Sequence, residues 1–342
     1  MIFCNFDCNF LYNVLHSYYI IYEILLKGDS MSLFLVIVLI IAGFAMLIFG
    51  GNLMVDACLR FSKSTGISKA LVGATLVSII TTLPEFFVSV FSTGQGATEL
   101  AIGNVTGSLL FNFFIVIGIM LLFSSQLKSP TEFKSKIVLA LFSLVVLLIF
   151  GLDKQLTLAE GLIFLFIFIY FIVTQVIEAK KERFEVPKVQ QKYKPWADLA
   201  VAVFGAILIV IGARLVVDNG INLGQLLSIP EHIVGVTIIA IGTSLPELVT
   251  CIVSIRKKAI ALSIGNILGT LTMNITLLMG TNALLTGGML QLSESVAYIS
   301  VPLLTMGMAI FGLPLAIKRR FYAWQGVLFI MCALTYYAIL II

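Results

Sequence analysis

The chain alternates between long apolar runs and short polar connections over most of its length. A helix rises 1.5 Å per residue, so about 20 apolar residues cross the roughly 30 Å hydrocarbon core of a bilayer. Runs of this kind predict ten transmembrane helices and an all-α polytopic membrane protein. Their expected limits are 31–51, 67–93, 98–123, 136–152, 157–177, 197–217, 232–255, 259–286, 295–316 and 322–342.

Composition agrees with this pattern. The 342 residues are 60% hydrophobic and 11% charged, and the mean hydropathy is +1.11. A soluble domain could not keep a hydrated surface with these values. The net charge of +4 lies in the loops, so it does not indicate nucleic-acid binding.

The basic residues orient the chain. Of 21 Lys and Arg residues, 18 fall in alternate connections, which the positive-inside rule makes cytoplasmic. Both termini are then expected outside. The longest polar connection, 178–196, is expected to be a cytoplasmic linker. Compact loops favour the plasma (inner) membrane of a prokaryote.

Residues 1–30 differ from the rest, being rich in Tyr, Phe, Asn and Cys without the pattern of a signal peptide. Met31 directly precedes the first apolar run. We expect Met31 to be the natural start and residues 1–30 to be an upstream extension. An interfacial helix is the alternative for this segment.

The two halves of the chain are related by duplication. Residues 72–112 align with 234–274 at a constant offset of 162, with 17 identities in 41 positions and no gap. Each copy holds five spans, an odd number, so the copies are expected to lie in opposite senses across the bilayer. The sequence therefore predicts two inverted five-helix repeats, 31–177 and 197–342. In such transporters the substrate site lies near the midplane, where the repeats meet.

Each copy places a glutamate directly after a proline inside an apolar span. The first helical stripe comprises Ser78, Thr81, Thr82 and Glu85, and its duplicate comprises Ala240, Thr243, Ser244 and Glu247. Pro84 and Pro246 each remove a backbone donor, so we expect loosened helices with free carbonyl oxygens around Thr81 and Thr243.

The third and eighth spans carry a second pair of stripes. One comprises Asn104, Ser108 and Asn112, and the other Asn266, Thr270 and Asn274. Gly103, Gly107, Gly265 and Gly269 are expected to form faces on which neighbouring helices approach closely. Taken singly, each hydroxyl or amide is typical of an interhelical hydrogen bond, but the repeated set indicates a binding site.

The combined stripes hold two carboxylates, hydroxyls, amides and carbonyls. Hard cations prefer such oxygens, and a pliant site with two carboxylates favours calcium, with sodium as a competitor. The alternative is a pair of protonated glutamates that hydrogen-bond to each other in a purely structural role, because burial and a like-charged neighbour favour the neutral form. Five cysteines and two histidines form no cluster, so a soft-metal site lacks support.

Other membrane acids are interpreted as structural. Arg214 and Asp218, four residues apart, resemble an intrahelical ion pair, and Asp56 resembles an acid at a helix end.

The duplicated motifs, GTSLPE at 242–247 and GNVTGS and GNILGT at 103–108 and 265–270, resemble the cation/calcium antiporter superfamily, particularly its sodium/calcium exchanger branch. The resemblance covers 31–342. It implies a ten-helix fold with four central cation sites, in which the first and sixth helices slide across the core as a gate.

The same resemblance implies roles for individual residues. Glu85 and Glu247 would bridge calcium and sodium, and Thr81 and Thr243 would offer backbone carbonyls to calcium. The implied sodium ligands are the hydroxyls of Thr82, Ser108, Ser244 and Thr270 and the carbonyls of Ser78 and Ala240, with Asn112 and Asn274 lining the middle site. Ile80 replaces the usual glycine before Thr81, which would restrict unwinding in the first repeat.

We therefore predict a secondary antiporter that exchanges calcium for sodium by alternating access, with no cofactor. A proton/calcium antiporter is the alternative within this class, and a cation channel is the alternative from another class. An enzyme lacks support, because the sequence holds no HExxH or GxSxG motif and no nucleophile paired with a histidine. The expected partners are calcium, sodium and the lipid bilayer, with the single chain as the functional unit.

Overall fold

The computed structural model describes residues 33–123, 133–185, 195–226, 242, 244–318 and 320–341. The predicted extension 1–30 lies outside these residues. The described helices are α1 (Leu33–Thr65), α2 (Lys69–Gly94), α3 (Thr98–Leu122), α4 (Lys134–Phe150), α5 (Leu158–Glu185), α6 (Pro195–Leu226), α7 (Leu245–Arg256), α8 (Ile260–Leu285), α9 (Val301–Lys318) and α10 (Ala323–Ile341).

Within the described residues, eight helices are long and apolar enough to cross a membrane. They correspond to predicted spans one to six, eight and nine. The apolar stretch of α10 is shorter, Ala323–Ala338, and most of the predicted seventh span before α7 lies outside the described residues. The all-helical membrane class is confirmed, and the count of ten spans stays a prediction.

Several helices extend beyond their predicted limits. The first span was expected to end at 51, but α1 continues to Thr65, and α6 continues to Leu226 rather than 217. Hydropathy marks the polar residues at these ends as loop. At the end of α1 a polar side chain contacts another helix, since Nε of Arg60 lies 2.7 Å from Oδ1 of Asp198 on α6.

The core surrounds α3 and α8, which the other helices enclose. Phe113 and Phe114 of α3 pack edge to face, with ring centroids 5.0 Å apart. Phe311 of α9 and Phe329 of α10 pack against Phe113, with centroid distances of 6.2 and 5.0 Å. Interlocked aromatic rings of this kind hold the peripheral helices against α3.

Helices α1 and α6 lie antiparallel and in close contact. Gly50 lies against Gly205, and Gly43 lies against Gly212. A Cβ atom on Gly50 would lie 2.6 Å from the carbonyl oxygen of Gly205, so a side chain at this position would force the helices apart. Small residues are what allow such close packing between membrane helices.

The expected glycine faces are confirmed only in part. Gly265 and Gly269 of α8 pack against the backbone of Ala70 and Ala74 in α2. Gly103 is exposed, and a Cβ added there would meet nothing within 4 Å, so its predicted helix contact is wrong.

A short antiparallel ladder joins two connections on one face. Gln155 pairs with Gln291 and Leu156 pairs with Leu290. Lys154 lies next to this ladder and forms an ion pair with Glu294 at 3.0 Å. The ladder ties the α4–α5 connection to the connection that follows α8.

Candidate cation site

Glu85 and Glu247 are both fully buried, on α2 and α7 respectively. In the Ser78–Gly94 part of α2, every buried side chain is polar: Ser78, Thr81, Thr82, Glu85, Ser89, Ser92 and Thr93. A membrane-spanning helix gains nothing from burying polar groups unless partners meet them inside the protein. This face of α2 therefore identifies the polar interior of the molecule.

The carboxyl groups of Glu85 and Glu247 lie close enough to interact electrostatically. Glu247 acts on Glu85 by direct Coulombic repulsion. The hydroxyl of Ser108 faces the carboxyl group of Glu85, and that of Thr81 faces Glu247. The structure thus brings together the two acids and two of the predicted hydroxyl residues.

The duplicated prolines have different local effects. Pro84 lies inside α2, which stays α-helical from Ser78 to Gly94, so the loosening expected before Glu85 does not interrupt the helix. Ile80, in place of a glycine, agrees with this continuity. Pro246 instead lies in the first turn of α7, two residues after Ser244, which has a non-helical φ of −99° and ψ of 4°. Thr243 and Ala240 lie outside the described residues, and their predicted carbonyl ligands stay predictions.

Hydroxyl groups of α2 connect this helix to α8. The Thr81 hydroxyl donates to Asn266 Oδ1 at 3.2 Å, and the Thr82 hydroxyl donates to that of Thr270 at 3.2 Å. The Ser78 hydroxyl donates within its own helix to the Ala74 carbonyl at 2.8 Å. Thr82 and Thr270, each predicted as a sodium ligand, therefore lie next to one another.

Several buried polar atoms lack a hydrogen-bond partner among the described residues. At the predicted cation site these atoms include both carboxyl oxygens of Glu85 and of Glu247, both amide atoms of Asn112 and of Asn274, and the hydroxyl of Ser244, and others lie elsewhere, such as Oε1 of Gln175 and Oδ2 of Asp198. A buried group without a partner costs about 1–3 kcal/mol, and more when it is charged. The carboxyl oxygens among them are thus available to a ligand, and carboxylate oxygens are ligands that calcium prefers.

Two features were not predicted from the sequence. The helices adopt π-helical geometry at Phe111–Ile117 and Asn274–Leu278, which include Asn112 and Asn274. Single π turns occur often at functional sites, because they re-aim side chains. Asn104 was placed in a polar stripe but left out of the ligand set, and its Nδ2 donates to the backbone carbonyl of Glu85 at 3.3 Å.

The donor set is that of a hard cation site. No group of three or more His, Cys, Asp or Glu residues that could hold a metal occurs in the described part of the chain. Two carboxylates with neutral hydroxyl and amide oxygens match the preference of calcium for 6 to 8 oxygens in flexible geometry. The residues present fit a transported cation.

Comparisons with known proteins place the chain in a family. The sequence model for the sodium/calcium exchanger protein family matches residues 35–177 and 198–342, which include both glutamates. The inner membrane protein YrbG of Escherichia coli is 31% identical over 73% of this chain and 80% of its own. The sodium/calcium exchanger MaX1 of Methanosarcina acetivorans is 26% identical over 88% of this chain and 97% of its own.

The fold is also that of a solved exchanger. A structure of the sodium-calcium exchanger NCX_Mj, soaked with sodium and strontium, has a TM-score of 0.77 and 22% identity, covering 90% of this chain and 99% of that chain. Together with the matched motifs, these similarities establish that the chain belongs to the sodium/calcium exchanger family and is an integral membrane transporter rather than an enzyme.

Proposed function

We propose that this chain exchanges calcium for sodium by alternating access at one intramembrane site, in which Glu85 and Glu247 share the calcium ion. The observation that carries the proposal is the pairing of these two buried acids, whose four oxygens lack hydrogen-bond partners among the described residues. The name of MaX1, a sodium/calcium exchanger, supports sodium as the counter-ion.

The proposed ligands follow the residues matched to the family. Calcium binds the two glutamates and the backbone carbonyls of Thr81 and Thr243. The ligands proposed for sodium are the hydroxyls of Thr82, Ser108, Ser244 and Thr270, the carbonyls of Ser78 and Ala240, and the amides of Asn112 and Asn274.

Electrostatics makes the exchange obligatory. An empty site would carry two negative charges through an occluded state of low dielectric, at a cost of several kcal/mol. A site filled by one calcium ion, or by enough sodium ions to balance both carboxylates, is nearly neutral. The carrier therefore reorients when it is loaded and stalls when it is empty.

The architecture proposed for this cycle is ten transmembrane helices in two inverted repeats, 31–177 and 197–342. Both termini lie outside the plasma membrane, and 178–196 is cytoplasmic. Inversion of the repeats supports alternating access, because exchanging the conformations of the halves opens the site to the other side.

Flux into proteoliposomes tests the proposal. With calcium outside and pH clamped, an outward sodium gradient should drive calcium uptake by the wild-type chain. Glu85→Gln and Glu247→Gln should abolish uptake, whereas Glu99→Gln, which removes an exposed acid at the start of α3, should not. Undiminished uptake in both site variants would contradict the proposal.

The same vesicles separate the alternatives. A proton/calcium antiporter would respond to a pH gradient and ignore the sodium gradient. A cation channel would conduct calcium without a counter-ion, and single-channel currents would reveal it.

A further inference from the structure

An ion pair links the antiparallel α1–α6 pair to the glutamate helix α7. Lys257 follows the last residue of α7, and its Nζ lies 2.6 Å from Oδ2 of Asp56 on α1. The same Nζ donates to the backbone carbonyl of Asn52 at 3.2 Å. Asp56 was interpreted as an acid at a helix end, and this is wrong, because it lies nine residues before the end of α1 and contacts another helix.

Several contacts join α1 to α6, so an interaction that fixes the position of α1 also fixes that of α6. In addition to the glycine contacts, Nε of Arg60 on α1 lies 2.7 Å from Oδ1 of the buried Asp198 on α6. These contacts make α1 and α6 one body. The Asp56–Lys257 pair therefore fixes the position of that whole body against α7.

Duplication places a second acid at the opposite end of this body. Asp218 of α6 is the counterpart of Asp56 at the offset of 162. Because Gly50 lies beside Gly205 and Gly43 beside Gly212, Asp56 and Asp218 are separated by about 28 Å along the antiparallel pair at 1.5 Å per residue. Asp56 and Asp218 therefore lie at opposite ends of the α1–α6 body.

The partner base is not duplicated. The counterpart of Lys257 is Gln95, just after α2, which carries no charge. Among the described residues Asp218 has no ion pair within 4 Å, and the charge that acts on it is Arg214 of its own helix. In the described structure, an ion pair thus joins the α1–α6 body to a neighbouring helix at the Asp56 end and not at the Asp218 end.

The packing of the two helices against their neighbours also differs between the Asp56 end and the Asp218 end. Gly51 of α1 packs against Val249 and Val253 of α7, so tightly that an added Cβ would lie 2.6 Å from Val249 Cγ1. Its counterpart on α6 is Ala213, which lines a cavity of about 120 Å³. Pro84 and Pro246, which directly precede the two glutamates, line the same cavity. The cavity thus lies at the Asp218 end of the α1–α6 pair, and the tight packing lies at the Asp56 end.

We propose that Asp56 and Lys257 are positioning residues of the exchange cycle: their ion pair holds the α1–α6 body against α7 and keeps the site closed at the Lys257 end. Opening at this end requires the pair to separate. Because Lys257 has an uncharged counterpart, Gln95, in the other repeat, the carrier favours the conformation open at the Asp218 end. The proposal rests on the proposed function for its cations, but not for its geometry.

Thiol labelling tests the geometry without any transported ion. A cysteine introduced by Ala213→Cys should react with a small membrane-impermeant thiol reagent from the Asp218 side, above the background of the parent chain. Adding Lys257→Gln, which copies the uncharged Gln95, should lower the labelling rate about threefold to fivefold, because a partly exposed ion pair biases the equilibrium by that order. The charge-swapped chain, Asp56→Lys with Lys257→Asp, should restore the rate.

The duplication supplies a matched variant. Gln95→Lys places a base at the Asp218 end and should also lower labelling of the cysteine at position 213, by closing that end. Calcium KM gives a second readout: in the Lys257→Gln chain it should fall on the Lys257 side and rise on the Asp218 side.

The outcomes separate a positioning role from a structural one. A folding defect would lower labelling in the charge-swapped chain as well, whereas restoration there shows that the pairing itself matters. An unchanged labelling rate in the Lys257→Gln chain, or no restoration by the charge swap, would overturn the proposal. Because labelling needs neither calcium nor sodium, this result does not depend on which ions are exchanged.

Discussion

At the scale of single residues, the two glutamates differ although the sequence around them repeats. Glu247 lies in the first turn of α7, where the helix dipole favours a negative charge. Glu85 lies within α2, and its backbone carbonyl accepts a hydrogen bond from Asn104. One acid is thus stabilised by a helix end, and the other is held by a side chain from α3.

Thr270 offers a residue-scale test of the sodium ligands. We expect Thr270→Val, which replaces the hydroxyl with a methyl group, to raise the sodium concentration for half-maximal exchange about fivefold or more, because a lost oxygen ligand costs about 1–3 kcal/mol. Thr276→Val is the matched control on α8, since the Thr276 hydroxyl bonds only the Thr272 carbonyl at 2.6 Å in the described structure. Equal sodium dependence in the two variants, measured by flux, would exclude Thr270 as a ligand.

The central acids and hydroxyls were predictable at this scale, because polar residues in an apolar span are costly and their duplication is visible in the sequence. The Asp56–Lys257 pair was not. Its members are 201 positions apart, and nothing in either segment indicates the other. Only the packing of α1 against α7 brings them together.

At the scale of helices, the close contact between α1 and α6 depends on glycine. A Cβ on Gly205 would lie 2.7 Å from both the Gly50 carbonyl oxygen and the Met54 backbone nitrogen. Neither atom can move without displacing the α1 backbone. The α1–α6 pair therefore behaves as one unit only while this contact is kept.

Gly205→Ala tests this contact. We expect it to destabilise the protein by about 1–3 kcal/mol, as overpacking does, and to lower its thermal midpoint in detergent. Gly103→Ala is the control, because an added methyl there meets nothing and alanine favours a helix. Equal midpoints for the two variants would show that α1 and α6 are not in close contact.

Helix existence was predictable and helix geometry was not. Apolar runs indicated where α1 to α6, α8 and α9 lie, but the extension of α1 to Thr65 depends on contacts such as Arg60 with Asp198. The segment Phe111–Ile117 is π-helical, so it lacks the regular hydrogen bonds of an α-helix. Phe113 and Phe114, which lie in this segment, pack against Phe329 of α10, and that packing is not visible in the sequence.

At the scale of the whole molecule, a duplicated sequence gives an unequal structure. The repeats share their acids and prolines, yet one end of the α1–α6 pair forms an ion pair with α7 while the other end lines a cavity. Differences between the copies, such as Gln95 in place of Lys257, give a physical reason for the proposed preference for the conformation open at the Asp218 end. A symmetric carrier would have no preferred side.

The orientation of the chain is testable at this scale. We expect a protease site inserted within 186–194 to resist protease added to intact cells and to be cut in everted vesicles, because its flanking basic residues favour the cytoplasm. A site inserted between Gly287 and Gly288 should behave in the opposite way. Cleavage of the 186–194 insertion in intact cells would contradict the proposed topology.

Equilibrium binding of radioactive calcium to the purified chain tests the central claim most directly. We predict one calcium ion per chain, displaced by sodium, with binding lost in both Glu85→Gln and Glu247→Gln and kept in Glu99→Gln. Loss in both site variants follows if the two carboxylates share one ion. Wild-type binding by either site variant would contradict a shared site.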